Sequence, residues 1–187
     1  MRYDRTIIGY HGCEAKVAQR LLAGSRFRAS TNDFDWLGTG VYFWEYGAER
    51  ALAFAAEQIR RRGRRARPAV VGALIQLGNC FDLLDVRATD KLARAYAAWR
   101  VVTVNGDGAL PANAGGPPWF PLRKLDRAVL NWFLDRSEAR RGRYDTVRAA
   151  FLEGAPVFDG SAILRETHIQ IAVRNPGCIL GVFRPTL

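Results

Sequence analysis

Two short apolar runs frame this chain, and each carries its unusual residues at one end. The first, Thr6-Ile7-Ile8-Gly9-Tyr10, reads as a strand and delivers His11-Gly12 where it stops. The second opens on Trp36-Leu37-Gly38-Thr39-Gly40 and continues as Val41-Tyr42-Phe43. A fold that uses both brings a strand end carrying a histidine beside a strand start carrying glycines and a tyrosine. A histidine nitrogen suits a sugar hydroxyl, a glycine admits a ligand close to backbone, and a tyrosine offers a flat face. Together they point to a ribose joined to a planar ring. The Gly-x-Gly-x-x-Gly loop of dinucleotide dehydrogenases is absent.

The remaining elements follow from hydrophobic period. Residues 5–11 are predicted as a strand and 14–23 as a helix, with Val17, Leu21 and Leu22 on one face and Gly24 as the stop. Residues 25–39 read as a loop and 41–45 as a strand. A helix over 48–62 carries Ala51, Leu52, Ala55 and Ile59 at helical spacing. The nearly continuous apolar run 69–77 reads as a buried strand, with 80–84 continuing to a sheet edge. Helices are expected over 89–100 and 126–140, separated by a Gly- and Pro-rich loop over 106–121. Closing strands fall at 146–153, 167–174 and 179–183. Strands and helices in mixed order suggest an α+β or mixed α/β domain.

Composition narrows the classes. No apolar run approaches the ~20 residues that span a bilayer. Met1-Arg2-Tyr3-Asp4-Arg5 leads straight into a strand without a signal-peptide pattern. Cys13, Cys80 and Cys178 show neither zinc-site spacing nor a disulfide framework. A cytoplasmic protein without metal or membrane partner is the expectation. The net charge of +10 comes almost wholly from arginine, with six in the eight positions 60–67 and a second cluster at Arg136, Arg140, Arg141 and Arg143. Arginine forks match phosphate, so RNA, DNA or an acidic protein is a reasonable partner. The plainer alternative is a solvated helix end, where positive charge is favoured by the helix dipole.

The landmarks His11-Gly12 and Gly38-Thr39-Gly40-Val41-Tyr42-Phe43 resemble those of the ADP-ribosyltransferases, in the branch of diphtheria toxin and the poly-ADP-ribose polymerases. Gly24-Ser25-Arg26-Phe27-Arg28 is similar to that family's Gly-Leu-Arg turn after the first helix. The family's third landmark is a glutamate on a late core strand. Here it falls in Thr167-His168-Ile169-Gln170-Ile171-Ala172-Val173-Arg174-Asn175, where Gln170 takes its place. The resemblance touches three separated segments. It implies a single α+β domain over residues 1–187, with an ADP-ribosyltransferase-like split mixed β core flanked by helices.

It also implies NAD as substrate. His11 would bind a ribose hydroxyl, the Gly12 backbone would pair with the nicotinamide amide, and Tyr42 would stack on the nicotinamide. Arg28 would reach the pyrophosphate or adenosine, and Ser30, Asn32, Asp33, Phe34 and Trp36 would form a loop over the nucleotide. Arg50 stands where the family often has a serine, and Phe54 near an aromatic of the nicotinamide pocket. Each has a plainer reading: His11 as a strand-end residue bonded to a neighbouring carbonyl, Tyr42 and Phe54 as core, Arg28 as surface. Trp36 either covers ligand or packs beneath its loop.

The catalytic candidates are Gln170, His168 and Tyr42. Glutamine at 170 accepts the ribose hydrogen bond of the family's glutamate but adds no charge at the developing oxocarbenium ion. His168, on the same side of the strand, would act as an acceptor-side base or simply be a hydrogen-bonded strand residue. Glu166 is a further carboxylate on that side.

The resemblance thus implies a mono-ADP-ribosyltransferase or NAD glycohydrolase, by analogy a bacterial toxin or defence effector. The acceptor would be a protein or nucleic acid, and an acidic inhibitor or antitoxin a fitting partner. Two alternatives stand beside it: an NAD- or ADP-ribose-binding module without turnover, and an arginine-rich nucleic-acid-binding protein.

Overall fold

The computed structural model describes residues 2–33, 35–106, 108–115 and 122–186. Phe34, part of the predicted 106–121 loop, and the side chains of Arg140 and Arg141 lie outside the described residues. Among those described, the chain runs β1 (Arg2–Glu14), α1 (Ala15–Leu22), β2 (Val41–Glu45), α2 (Ala48–Arg61), β3 (Pro68–Asp82) and α3 (Val86–Asn105). It continues with α4 (Lys124–Arg141), β4 (Thr146–Phe151), β5 (His168–Val173) and β6 (Ile179–Phe183). The architecture is mixed: a six-stranded sheet and four helices. None of these helices is long and apolar enough to cross a membrane.

The strand order is β1-β2-β5-β4-β3-β6, and β1 also pairs with β3. Those pairings close a ring of β1, β2, β5, β4 and β3, with β6 attached to β3. Only β3–β4 is parallel. The ring's interior is apolar: Ile7, Val41, Phe43, Ala73, Ile75, Leu77, Ile171 and Val173 pack there. Successive strand residues point to opposite faces, so neighbouring residues serve different layers. Val71 and Cys13 pack on α1, whereas Val70 packs with Ala51 of α2 and Trp44 of β2. A fourth cluster joins α4 and the start of α3 to β4, through Ala88, Leu130, Leu134, Val147 and Ala149.

The expected strand at residues 80–84 is the last part of β3: Cys80, Phe81 and Asp82 pair in parallel with Thr146, Val147 and Arg148. The apparent break is Gly78, at φ +60°, where a Cβ would lie 2.6 Å from the Asp145 carboxylate. That carboxylate accepts the Asn79 amide at 2.8 Å and carries the strand past the bend. Helix α3 starts earlier than the apolar period suggests, because Asp85 caps it by accepting the Arg87 amide at 2.9 Å.

One end of the ring is closed by charge. Arg148 of β4 donates to Glu45 at 2.6 Å and to Asp82 at 3.0 Å, and all three are more than nine-tenths buried. Removing only that cation leaves buried Asp82 without its ion pair and buried Glu45 with the half-exposed Arg5 alone, 3.4 Å away. Arg148→Met is expected to cost about 3–5 kcal/mol in urea unfolding. Adding Glu45→Gln and Asp82→Asn should return at least half of that loss. A single variant as stable as wild type would show that the network holds nothing together.

Candidate functional site

Strands β1 and β2 share only two residue pairs, Gly9 with Glu45 and Tyr10 with Trp44. Past that point β2 stays with β5 along its whole length, while β1 stays with β3. The two strands therefore part at His11 and Phe43. The His11 ring sits in the gap, edge-on to Phe27 at 5.4 Å and tilted against Phe43 at 5.7 Å. Its Nδ1 lies 2.9 Å from the Tyr42 carbonyl oxygen. A carbonyl only accepts, so Nδ1 carries the proton and Nε2 keeps a lone pair. Burial lowers the His11 pKa, offset in part by that carbonyl bond, and the ring stays neutral near pH 7.

The segment ahead of β2 is tied into a rigid loop. Its base is a bridge between Ser30 and Gly40, with the Ser30 amide donating to the Gly40 carbonyl at 2.8 Å. Tyr42 is its central post: the phenol accepts the Leu37 amide at 2.9 Å and donates to the Gly38 carbonyl at 2.8 Å. Gly38 adopts φ +80°, and a Cβ there would meet the Asn131 side chain, which itself accepts the Thr39 amide. Arg127 donates to the Thr31 carbonyl, and Lys124 pairs with Asp33. Trp36 packs beneath the loop, 5.0 Å from Phe151, with the Arg123 guanidinium over both rings.

Gln170 lies under that tryptophan, and its amide orientation is fixed from both sides. Its Oε1 accepts the Trp36 indole N–H at 2.7 Å, and its Nε2 lies 3.0 Å from His168 Nε2. His168 Nδ1 lies 2.6 Å from the Glu166 carbonyl, so Nδ1 donates and Nε2 accepts from Gln170. The His168 nitrogen expected to face an acceptor is thus committed to Gln170. Burial outweighs the carbonyl bond and lowers the His168 pKa from 6.5 to about 4. His168 is not among the residues lining the cleft described next.

A cleft of about 690 Å³ runs along α2 and brings together His11, Gly12, Arg28, Ser30, Trp36, Tyr42, Phe54 and Gln170. These come from β1, the loop before β2, β2, α2 and β5. Gly12 has a packing role as well. A Cβ would lie 2.0 Å from the Ala51 carbonyl of α2, so the missing side chain lets the helix sit on the strand. The Arg50 guanidinium bridges Glu153 at 2.5 Å and Glu166 at 3.3 Å, tying α2 to the chain between β4 and β5. Glu166 is therefore an ion-pair partner of Arg50.

Among the lining residues that the sequence did not single out are Trp44, Asp35 and Glu153. Trp44 was findable, since it follows Tyr42 by two and shares its face. It packs 4.8 Å from Phe54, and its buried indole N–H has no partner among the described residues. Asp35 Oδ2 is likewise buried without a partner there, and burial raises that carboxyl's pKa. Glu153 gave no sequence signal; its place depends on Arg50. Among the described residues, no group of His, Cys, Asp and Glu side chains is arranged to hold a metal ion.

No family model, no curated protein and no solved structure matches this chain. The chemistry of the cleft rests on its own residues.

The His168 assignment carries a pH dependence. Between about pH 6.5 and about pH 4 the unfolded chain binds a proton at His168 that the folded chain refuses, so stability falls as pH drops through that window. By NMR, the imidazole should titrate near 4 in wild type. In Gln170→Glu it should titrate about one unit or more higher, since a carboxylate beside Nε2 favours the imidazolium. An unmoved midpoint would show that the two side chains do not touch.

Proposed function

We propose that this chain is an NAD-consuming mono-ADP-ribosyltransferase built on an ADP-ribosyltransferase-like split core. The observation that carries the reading is the meeting of His11, Tyr42 and Gln170 in one cleft, from three strands that are separate in sequence. The fit to NAD is specific in its donors and acceptors. His11 Nε2 is a fixed lone pair and suits a ribose hydroxyl. The Gln170 oxygen keeps a second lone pair after accepting from Trp36. Tyr42, Trp44 and Phe54 give aromatic surface for the nicotinamide. Beyond them the cleft turns basic, through Arg20, Arg28, Arg61, Arg62 and Arg64, which suits a pyrophosphate.

The reaction breaks the bond between the ribose anomeric carbon and the nicotinamide nitrogen. The electron pair leaves with nicotinamide, and positive charge develops on the ribose. His11 and Gln170 hold the ribose while that happens. The Gln170 oxygen is the negative end of a dipole polarised by the Trp36 and His168 bonds, and it carries no full charge. Turnover is therefore expected to be slow, since a preorganised charge is worth a few kcal/mol in such a step. A reading in which NAD is held and not split is favoured by one observation alone, the glutamine itself. Nicotinamide release from NAD separates the two.

Gln170→Ala should lower nicotinamide release by roughly 10-fold or more, as one polarised hydrogen bond is lost. Gln170→Glu should raise it, up to about 100-fold, by restoring charge at the forming oxocarbenium ion. Equal release from wild type and both variants would remove Gln170 from the chemistry.

A further inference from the structure

The cleft has a second end. Arg20 from α1, Arg28 from the following loop, and Arg61, Arg62 and Arg64 from the end of α2 all line it. Just outside the cleft, Arg60, Arg65 and Arg67 continue the same exposed run. Two of these cations are already paired, Arg61 with Glu57 and Arg64 with Glu14. For Arg20, Arg28, Arg60, Arg62, Arg65 and Arg67 no ion pair forms among the described residues. The dipoles of α1 and α2 account for Arg20, Arg60 and Arg61, which sit in last helical turns. They do not account for Arg28, Arg65 and Arg67, which stand in loops. Nor do they explain why three chain segments direct arginines at one cleft.

A dinucleotide's pyrophosphate carries two charges and leaves most of this surface unmatched. A chain of phosphates spaced along a backbone matches it. The cleft also selects the form of that chain. The proposed reaction centre lies inside the cleft, by His11, Tyr42 and Gln170, so an acceptor nucleotide has to enter beside the bound NAD. A duplex would have to open before a base could enter. We propose that the basic end of the cleft and residues 60–67 bind a single strand of nucleic acid, and that this strand is the acceptor of ADP-ribose. Strand binding stands on the arginines alone; the acceptor role rests on the transferase reading above. In that step a nucleotide oxygen or nitrogen forms the new bond to the anomeric carbon. The bond to nicotinamide breaks with its electrons leaving on nicotinamide, and the attacking group's proton passes to solvent.

The test is fluorescence anisotropy on the whole chain with short labelled RNA and DNA strands of mixed sequence, over a range of potassium chloride. Calorimetry with NAD runs in parallel. Binding of RNA, DNA or both is expected, with log affinity falling against log salt by about 0.7 for each phosphate neutralised. The variant Arg60→Ser/Arg65→Ser/Arg67→Ser alters only residues outside the cleft lining. It should bind strands at least about 10-fold more weakly, with a salt slope shallower by up to about 2, while its NAD affinity is unchanged. Unchanged NAD binding also shows that the variant folds. Failure of both strands to bind would overturn the proposal. So would a variant that binds strands like wild type, or a poly-glutamate chain that competes as well as the strands. Strand binding by a protein that takes up no NAD would overturn the acceptor role and the transferase reading together, and leave the strand site in place.

Discussion

The structure turns on the parting of β1 and β2 after two shared residue pairs. A sheet does not leave backbone groups open in its middle without a substitute partner. Here the substitute is a side chain: His11 gives its Nδ1 proton to the Tyr42 carbonyl across the gap. That bond keeps the split open at a fixed width and aims Nε2 outward. Phe27 and Phe43 hold the ring on its other sides, so the histidine has little freedom to turn. The cleft beside it is a consequence of strand pairing, and α2 supplies its wall because Gly12 lets the helix come down onto β1.

The polar groups of the cleft form chains with a definite sense. The Glu166 carbonyl fixes the His168 tautomer, His168 fixes the Gln170 amide, and Gln170 receives the Trp36 indole. A glutamine at this place is thereby a fixed dipole with its oxygen toward the loop. The arrangement explains why His168 belongs to the support of the site. It also explains why a neutral His168 is required, since a proton on Nε2 would oppose the Gln170 amide. Tyr42 works similarly, with its hydroxyl spent on the Leu37 amide and Gly38 carbonyl and its ring left to face the cleft.

Much of this was legible in the sequence, and the failures have physical causes. Strands and helices were readable wherever period and burial agree, as in α2 with Ala51, Ala55 and Ile59. The reading broke at Gly78, where a positive φ looks like an end and is rescued by Asp145 from far along the chain. His11, Tyr42 and Gln170, singled out from three separate segments, line one cleft, each from a strand that the sequence pattern made readable. The packing role of Gly12 was hidden, since it depends on the helix that packs there. Arg50, Glu153 and Glu166 were opaque for the same reason: their meaning lies in one another, across more than a hundred residues of sequence. Asp35 is passed over in a polar loop until its burial is seen.

The most direct measurement is the indole N–H spectrum of nitrogen-15-labelled protein during an NAD titration. Trp36 and Trp44 line the cleft, whereas Trp99 belongs to α3 and Trp132 to α4. A nicotinamide riboside held by His11 and Gln170 should move the Trp36 and Trp44 signals together and leave those of Trp99 and Trp132 in place. If all four stay fixed up to millimolar NAD, or if only Trp99 and Trp132 move, the cleft is not an NAD site.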